Sequence, residues 1–373
     1  MHDEPGHSPG GAAALRLKTP HPMTSIAWPD AAREQTFQHW LQSLDARLGL
    51  RPETLAPASA DASARRYFRV ARADGGTLIV MDAPPDQGSV RPFVEIARHM
   101  AQDCQLHVPE VLAADEANGF LLLSDLGQQT YLQALQNAGE RDADRLMRAA
   151  IQSLVQWQLK GDAGRLPVYD EAFIRRELQL FVDWCVQREF GRSWNELQQG
   201  WWERVCQALV RAMLGQPQVP MHRDFMVRNL MVSEPLPGIL DFQDAVRGPI
   251  AYDIASLLRD AFISWDEERE LDWAIRYWEQ ARKAGLLDPE ELGADFGEFW
   301  RLVEWTGLQR HLKILGIFCR LKHRDGKPAY AEDLGRFFAY AIKVSTRYVE
   351  LAPLTQLLKD LRGDLFATGF DLR

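Results

Sequence analysis

Residues 222–229 read HRDFMVRN and residues 239–242 read ILDF, and these two stretches carry the most specific pattern in the chain. Phosphoryl transfer needs a carboxylate at the acceptor hydroxyl, together with an amide and a second carboxylate that hold Mg²⁺ on the phosphates. Asp224 and Asn229 lie five residues apart across a tight loop and can face opposite sides of one site. Asp241, at the end of a short apolar strand, can add the oxygen ligand that Mg²⁺ prefers. We therefore predict that Asp224 is catalytic and that Asn229 and Asp241 bind Mg²⁺.

The segments around this loop change in character along the chain. Strand patterns dominate before residue 125, and long helical patterns follow. The predicted strands are 67–72, 77–81, 108–113 and 120–124, and the predicted helices include 31–49, 92–103, 196–214, 250–264, 267–285, 289–320 and 329–350. We expect an α+β protein with a flexible tail over residues 1–24, a β-rich N-terminal lobe over 25–125 and a larger, mostly helical C-terminal lobe over 126–373.

The composition limits the classes of partner. The 373 residues include 43 Lys and Arg against 52 Asp and Glu, a net charge of −9. A nucleic-acid binder usually has the opposite balance, because basic residues neutralise the phosphates. No apolar run reaches the roughly 18 residues that a membrane-spanning helix needs. We therefore expect a protein that binds neither nucleic acid nor membrane. The four cysteines are at least 21 residues apart, which is typical of reduced thiols in a cytoplasmic protein, and we expect a monomer.

The same residues resemble the motifs of a known superfamily. HRDFMVRN is similar to the catalytic loop, and ILDFQDA to the metal-binding motif, of the aminoglycoside phosphotransferases and choline kinases, which are relatives of the protein kinases. The resemblance implies a two-lobed, protein-kinase-like fold in which Asp253, in GPIAYDIASLLRD, hydrogen-bonds the catalytic loop. We expect His222 to order this loop rather than to move protons. The short gap from Asp241 to Gly248 leaves no room for a protein-kinase activation loop, so a protein substrate is disfavoured.

The resemblance also implies an ATP site in the N-terminal lobe. SADASARRYFRV (59–70) is similar to the family's nucleotide loop, although Ser, Ala and Asp replace most of the expected glycines. Glu95 occupies the place of the glutamate on helix C, and FLLLSDLGQQTYL resembles the hinge whose backbone meets the base. The residues implied to contact ATP are Ser59, Asp61, Ser63, Arg65, Arg66, Glu95, Leu123, Ser124, Asp125 and Leu126.

One departure from the family concerns the lysine that kinases place on the third strand, against the α- and β-phosphates. The corresponding residues 78–81 are LIVM, and no lysine occurs between residues 18 and 160. A guanidinium can take its place, with Arg65, Arg66 and Arg69 as candidates and a solvated basic strand end as the alternative. Otherwise the chain is a nucleotide-binding pseudokinase, although its intact catalytic and metal-binding residues favour an active enzyme.

A stripe of residues in the helical half is the candidate acceptor site. Glu177, Phe181 and Trp184 recur at i, i+4 and i+7, on one face of a helix. A carboxylate beside aromatic faces suits a sugar, whose hydroxyls bond to the acid and whose C–H faces stack on the rings. A choline-type cation would suit the same stripe. The alternative interpretation is an amphipathic helix that packs its aromatic residues inward.

A closer resemblance narrows the acceptor. Seven segments are similar to the bacterial amino-sugar kinases of cell-wall recycling: DASARRYFRV, IVMDAPP with RPF, GFLLLSDLGQQTYL, RRELQLF, HRDFMVRNLM, LDFQDAVRGPIAYDI and QRHLKILGIF. The resemblance implies ATP- and Mg²⁺-dependent phosphorylation of the anomeric hydroxyl of N-acetylmuramate and N-acetylglucosamine. Because N-acetylmuramate carries a lactyl carboxylate, we expect a basic contact, with Arg175, Arg176 and Arg228 as candidates. An aminoglycoside, a choline-like alcohol or another sugar is the alternative acceptor.

Overall fold

The computed structural model describes Ile26, Trp28, residues 30–58 and residues 65–362. The predicted tail over residues 1–24 lies outside this described part, as do the predicted nucleotide-loop residues Ser59, Asp61 and Ser63. The chain divides into two compact units, Met1–Asp82 and Ala83–Arg373.

This division falls earlier than the lobe boundary that the sequence places after residue 125. Contacts inside the second unit explain the difference, because residues 83–125 are attached to its core. The ring of Phe93 lies 4.8 Å from that of Phe242, and the backbone N–H of Ile239 donates to the carbonyl oxygen of His107 at 2.8 Å. The lobe boundary itself stays a prediction.

The first unit combines one helix with an antiparallel ladder of strands. Its described elements are α1 (Ala31–Leu48), β1 (Leu50–Pro57), β2 (Arg66–Arg72) and β3 (Thr77–Asp82), with β2 paired to both other strands. The β2–β3 turn is an Asp-Gly-Gly hairpin in which Gly75 takes φ +92°, a conformation that favours glycine. β1 was not predicted, because it contains prolines and its exposure does not alternate.

The second unit begins with a helix and a hairpin and continues as a largely helical body. Its described elements are α2 (Arg91–Gln102), β4 (Val111–Asp115), β5 (Phe120–Ser124), α3 (Tyr131–Leu135), α4 (Glu140–Lys160), α5 (Glu171–Leu180), a π-helix (Phe181–Glu189), α6 (Glu196–Leu214), β6 (Gln218–Met221), β7 (Leu230–Met231), β8 (Gly238–Ile239), β9 (Val246–Pro249), α7 (Ala251–Leu258), α8 (Glu267–Lys283), α9 (Phe296–His323), α10 (Leu334–Arg347) and α11 (Ala352–Arg362).

The long helix α9 is buried along most of its length in the helical body. It begins at Phe296 rather than at residue 289, because the side chain of Asp295 accepts the N–H of Glu298 and caps it. Helix α5 packs against α9 and continues into the π-helix. At the end of α5, Gly316 of α9 approaches Leu180 so closely that a Cβ atom on Gly316 would lie 2.3 Å from the backbone carbonyl carbon of Leu180.

These elements confirm the predicted α+β fold, with a β-rich N-terminal region and a larger, mostly helical C-terminal region. Over the described ranges, every helix falls short of the length or the apolar character that crossing a bilayer would require.

Candidate active site

Two short antiparallel ladders position the catalytic loop. β6 pairs with β9 and ends at Met221, so the HRD motif begins where that strand ends. β7 pairs with β8 through Leu230 and Ile239. Because Asn229 precedes Leu230 and Asp241 follows Ile239, this register brings their side chains together. Asn229 Nδ2 lies 3.4 Å from Asp241 Oδ2.

The loop closes around the backbone of Asp224. Its carbonyl oxygen accepts hydrogen bonds from Asn229 Nδ2 and from the N–H of Met226, each at 2.9 Å. No group in the described part of the chain donates a hydrogen bond to its carboxylate. A partly buried carboxylate that is held by its backbone and open at its oxygens can accept a proton from a hydroxyl.

Asp253 holds the start of the loop. Its wholly buried carboxylate accepts the N–H of His222 at 2.6 Å and that of Arg223 at 3.0 Å. Arg223 has φ +74°, in the left-handed region that residues other than glycine rarely adopt. Burial raises the pKa of Asp253 to about 7, against the effect of the two N–H groups and of Arg310. Asp253 therefore fixes a strained residue directly before Asp224.

His222 is buried inside the loop. Burial lowers its pKa to about 4, so the ring is neutral at physiological pH. Its Nδ1 accepts the N–H of Asp224 at 3.3 Å, and its ring packs edge-on against Phe225 with centroids 5.6 Å apart. These contacts favour the predicted role in ordering the loop over a role in proton transfer.

Asn229 and Asp241 offer oxygen donors side by side for a divalent cation. In the described ranges, this site included, no three His, Cys, Asp or Glu side chains gather as a metal site. Mg²⁺ usually binds through one or two carboxylates together with substrate phosphates and water. Gln243 Nε2 donates to Asp241 Oδ1 at 2.8 Å and orients the carboxylate. This pair of donors fits a Mg²⁺ ion that is held mainly by nucleotide phosphates.

The predicted hinge lies at the end of β5. Leu123 and Leu126 are buried, whereas Ser124 and Asp125 are partly exposed. The backbone N–H of Ser124 donates to the carbonyl oxygen of Glu110 at 2.9 Å, and its hydroxyl accepts the N–H of Glu110 at 2.8 Å. These two hydrogen bonds therefore anchor the segment to the residue that precedes β4.

The other predicted nucleotide contacts have partners of their own. Glu95 pairs with Arg91, one turn earlier on α2, at 2.7 Å. In the first unit, Arg66 forms an ion pair with the buried Asp82, and its guanidinium lies 4.3 Å from the ring of Trp28. The pairing favours a structural role for Arg66. Arg65 is partly buried.

The predicted acceptor stripe is not one exposed face. Phe181 has no exposed surface and packs against Trp202 at 5.7 Å, and Trp184 is half-buried against the same core. The wider turn of the π-helix displaces these rings from the α-helical spacing that the sequence assumes. Arg175 pairs with Glu171 at 2.7 Å and with Glu203 at 3.0 Å. These positions favour the inward-packing interpretation for Phe181.

From the sequence, no role was assigned to three charged residues that lie near the loop. Asp260 accepts the N–H of Val227 at 3.0 Å, Arg310 Nη1 donates to the carbonyl oxygen of Arg223 at 3.0 Å, and Lys313 pairs with Glu177 at 2.8 Å. Charged residues are rarely buried unless they are paired. The segments QRHLKILGIF and GPIAYDIASLLRD, quoted above for the resemblance, contain all three residues, and a charge inside an apolar helical pattern was the physical signal that could have singled them out.

Comparisons with known proteins identify the family of the chain. The sequence model of the phosphotransferase enzyme family matches residues 54–294. The chain belongs to this family. The phosphotransferase is 47% identical over 340 residues to the N-acetylmuramate/N-acetylglucosamine kinase of Neisseria meningitidis, with 91% of this chain and 99% of that protein covered. It is 48% identical over 339 residues to the protein of the same name from Pseudomonas aeruginosa, with 89% and 98% covered.

A solved structure shows the fold of this phosphotransferase. The choline kinase of Cryptosporidium parvum superposes with a TM-score of 0.59 at 10% identity, over 86% of this chain and 99% of that one. The predicted kinase-like fold is therefore confirmed, and the match to the phosphotransferase family over residues 54–294 confirms the predicted resemblance to that family.

Proposed function

We propose that this phosphotransferase transfers the γ-phosphoryl group of ATP to the anomeric hydroxyl of N-acetylmuramate and of N-acetylglucosamine. The observation that carries the proposal is the identity of 47% and 48% with two kinases named for these sugars, over nearly the whole length of each protein. The convergence of Asn229 and Asp241 beside Asp224 supports a phosphoryl-transfer reaction.

In the proposed reaction, Asp224 orients the anomeric hydroxyl and takes its proton as the hydroxyl oxygen bonds to the γ-phosphorus. The bond from that phosphorus to the oxygen bridging the β- and γ-phosphates breaks, and ADP leaves. Asn229 and Asp241 hold Mg²⁺, which when bound neutralises charge on the phosphates. Asp253 and His222 keep the backbone of the loop in place.

The remaining contacts are part of the same proposal. The backbone between Leu123 and Leu126 meets the base, and Arg65 is the remaining favoured candidate for the cation that replaces the strand lysine. Trp184 and Arg228 are candidates for the acceptor side. Because ATP is the proposed donor, we place the reaction in the cytoplasm. The monomeric state stays a prediction.

A panel of acceptors tests this function directly. Purified protein is incubated with ATP and Mg²⁺ and with N-acetylmuramate, N-acetylglucosamine, an aminoglycoside or choline, and the products are followed by ³¹P NMR. We expect an anomeric sugar phosphate, identified by its coupling to the anomeric proton, from the two amino sugars alone. A phosphorylated aminoglycoside or choline would instead assign the alternative acceptors, and ATP binding without any transfer would indicate a pseudokinase.

Asp224→Asn is the matched variant for this assay. It keeps the size of the side chain but cannot take the proton, so we expect transfer to fall by at least about 10²-fold with an unchanged melting temperature. Turnover near the wild-type rate would remove Asp224 from the mechanism.

A further inference from the structure

A buried arginine of α9 reaches the catalytic loop. Arg310 is 3% exposed, and its Nη1 donates to the carbonyl oxygen of Arg223 at 3.0 Å. Its guanidinium carbon lies 4.8 Å from the centre of the Tyr252 ring. Burying a guanidinium is costly unless nearby anions and acceptors compensate for the lost water. The groups that compensate Arg310 therefore indicate what it does.

Burial lowers the pKa of Arg310, but Tyr252, Asp224 and Asp253 raise it above its usual value, and the charge of Arg310 acts in turn on Asp260. These three carboxylates belong to the catalytic loop or hold it. Asp253 fixes the first half of the loop, as described above. Asp260 fixes the second half, because its buried carboxylate accepts the N–H of Val227 at 3.0 Å. Asp260 is also faced by Arg336 of α10.

The peptide that Arg310 holds is the one that aims Asp224. This peptide unit consists of the carbonyl of Arg223 and the N–H of Asp224. Its N–H side donates only at 3.3 Å, to His222 Nδ1, so the bond from Arg310 is the shorter of the two. Rotation of this peptide would change ψ of Arg223 and φ of Asp224, and would therefore turn the Asp224 side chain.

We propose that Arg310 is a positioning residue, which fixes the peptide between Arg223 and Asp224 and thereby the direction of the Asp224 carboxylate. The proposal rests on the proposed role of Asp224 as the group that takes the acceptor's proton. Arg310 acts through the loop and touches no substrate. Its loss is therefore expected to slow the chemical step and to leave ATP binding in place.

Two substitutions separate this role from a merely structural one. Arg310→Met removes the donor and the charge at similar length, and we expect kcat to fall about 10²-fold while the KM for ATP changes less than about threefold. Arg310→Lys keeps the cation and is expected to recover about tenfold of that loss. The control is Arg347→Met on α10, whose ion pairs go to Glu304 and Glu267; it should lower the melting temperature without changing kcat.

Hydrogen exchange gives a readout that needs no acceptor. The peptide covering residues 222–229 is expected to exchange faster in Arg310→Met than in Arg347→Met. If the wild type phosphorylates no sugar, the proposed function fails, and the exchange comparison still tests Arg310. If Arg310→Met has the same kcat as the wild type and its 222–229 peptide exchanges at the wild-type rate, the proposal is overturned. If that variant does not fold, Arg310→Gln, which is also neutral and is shorter, decides, and wild-type kcat in it would overturn the proposal as well.

Discussion

Glu177, which the sequence assigns to the acceptor, is occupied by four partners in the structure. Its Oε1 lies 2.8 Å from Lys313 Nζ and 3.3 Å from Arg223 Nη2. Its Oε2 accepts hydrogen bonds from the hydroxyl of Tyr169 at 2.5 Å and from Gln309 Nε2 at 3.2 Å. Burial alone would raise the pKa of Glu177, but Lys313, Tyr169 and Arg223 lower it to about 2. The carboxylate is thus the buried counter-ion of two cations.

Glu177→Gln tests which of these roles matters. The variant keeps the shape but leaves Lys313 and Arg223 buried without their anion, so we expect the free energy of unfolding to fall by about 3 kcal/mol. Urea unfolding measures this loss, and steady-state kinetics should show a KM for the acceptor within about threefold of the wild type. The control Glu203→Gln removes an exposed ion pair with Arg175 and should cost less than about 1 kcal/mol. A large rise in the acceptor KM at unchanged stability would restore the acceptor role.

At the scale of elements, helices with strong local signals could be predicted from the sequence, whereas features that depend on tertiary contacts could not. Helix α6 was predicted over 196–214 and begins at Glu196, because Asn195 and Gln198 form a capping box. The π-helix Phe181–Glu189 was missed, since no propensity distinguishes it from a continuation of α5. Its neighbour Gly316, on α9, lies far away in sequence, and the pattern of either segment alone does not reveal their contact.

The contact at Gly316 supplies a prediction for this pair of helices. A Cβ atom there would lie 2.3 Å and 2.5 Å from the backbone carbon and oxygen of Leu180, which cannot move like a flexible side chain. We expect Gly316→Ala to lower the free energy of unfolding by about 2–3 kcal/mol. Gly200→Ala on α6 is the control, because no heavy atom lies within 4 Å of its added Cβ, and it should gain about 1 kcal/mol. Similar urea midpoints for both variants would contradict the close approach.

Across the whole molecule, the site was predictable where its residues are close in sequence. Asn229 and Asp241 meet through one short ladder, and the HRD motif needs only the loop itself. Arg310 lies 87 residues from Arg223, and Asp260 lies 33 residues from Val227. Which face of a distant helix meets the loop depends on packing, so these supports could not be assigned from the pattern of α7 or α9.

Buried histidine makes the stability of the whole molecule depend on pH. Burial and the nearby charge of Arg259 lower the pKa of His311 from 6.5 to about 3, although its Nε2 donates to the carbonyl oxygen of Arg259 at 3.2 Å. Because the folded pKa lies below the unfolded one, the contribution of His311 is complete above pH 6.5 and is lost as the pH falls toward 3.

His311→Gln keeps a donor but cannot titrate. The stability of the wild type relative to this variant should therefore fall by about 2 kcal/mol between pH 8 and pH 5, measured by urea unfolding. Burial raises the pKa of Asp253 to about 7 and that of Asp260 to about 6, which opposes this trend in the wild type but cancels in the comparison. A pH-independent difference would show that His311 accepts its proton in the folded protein as readily as in the unfolded chain.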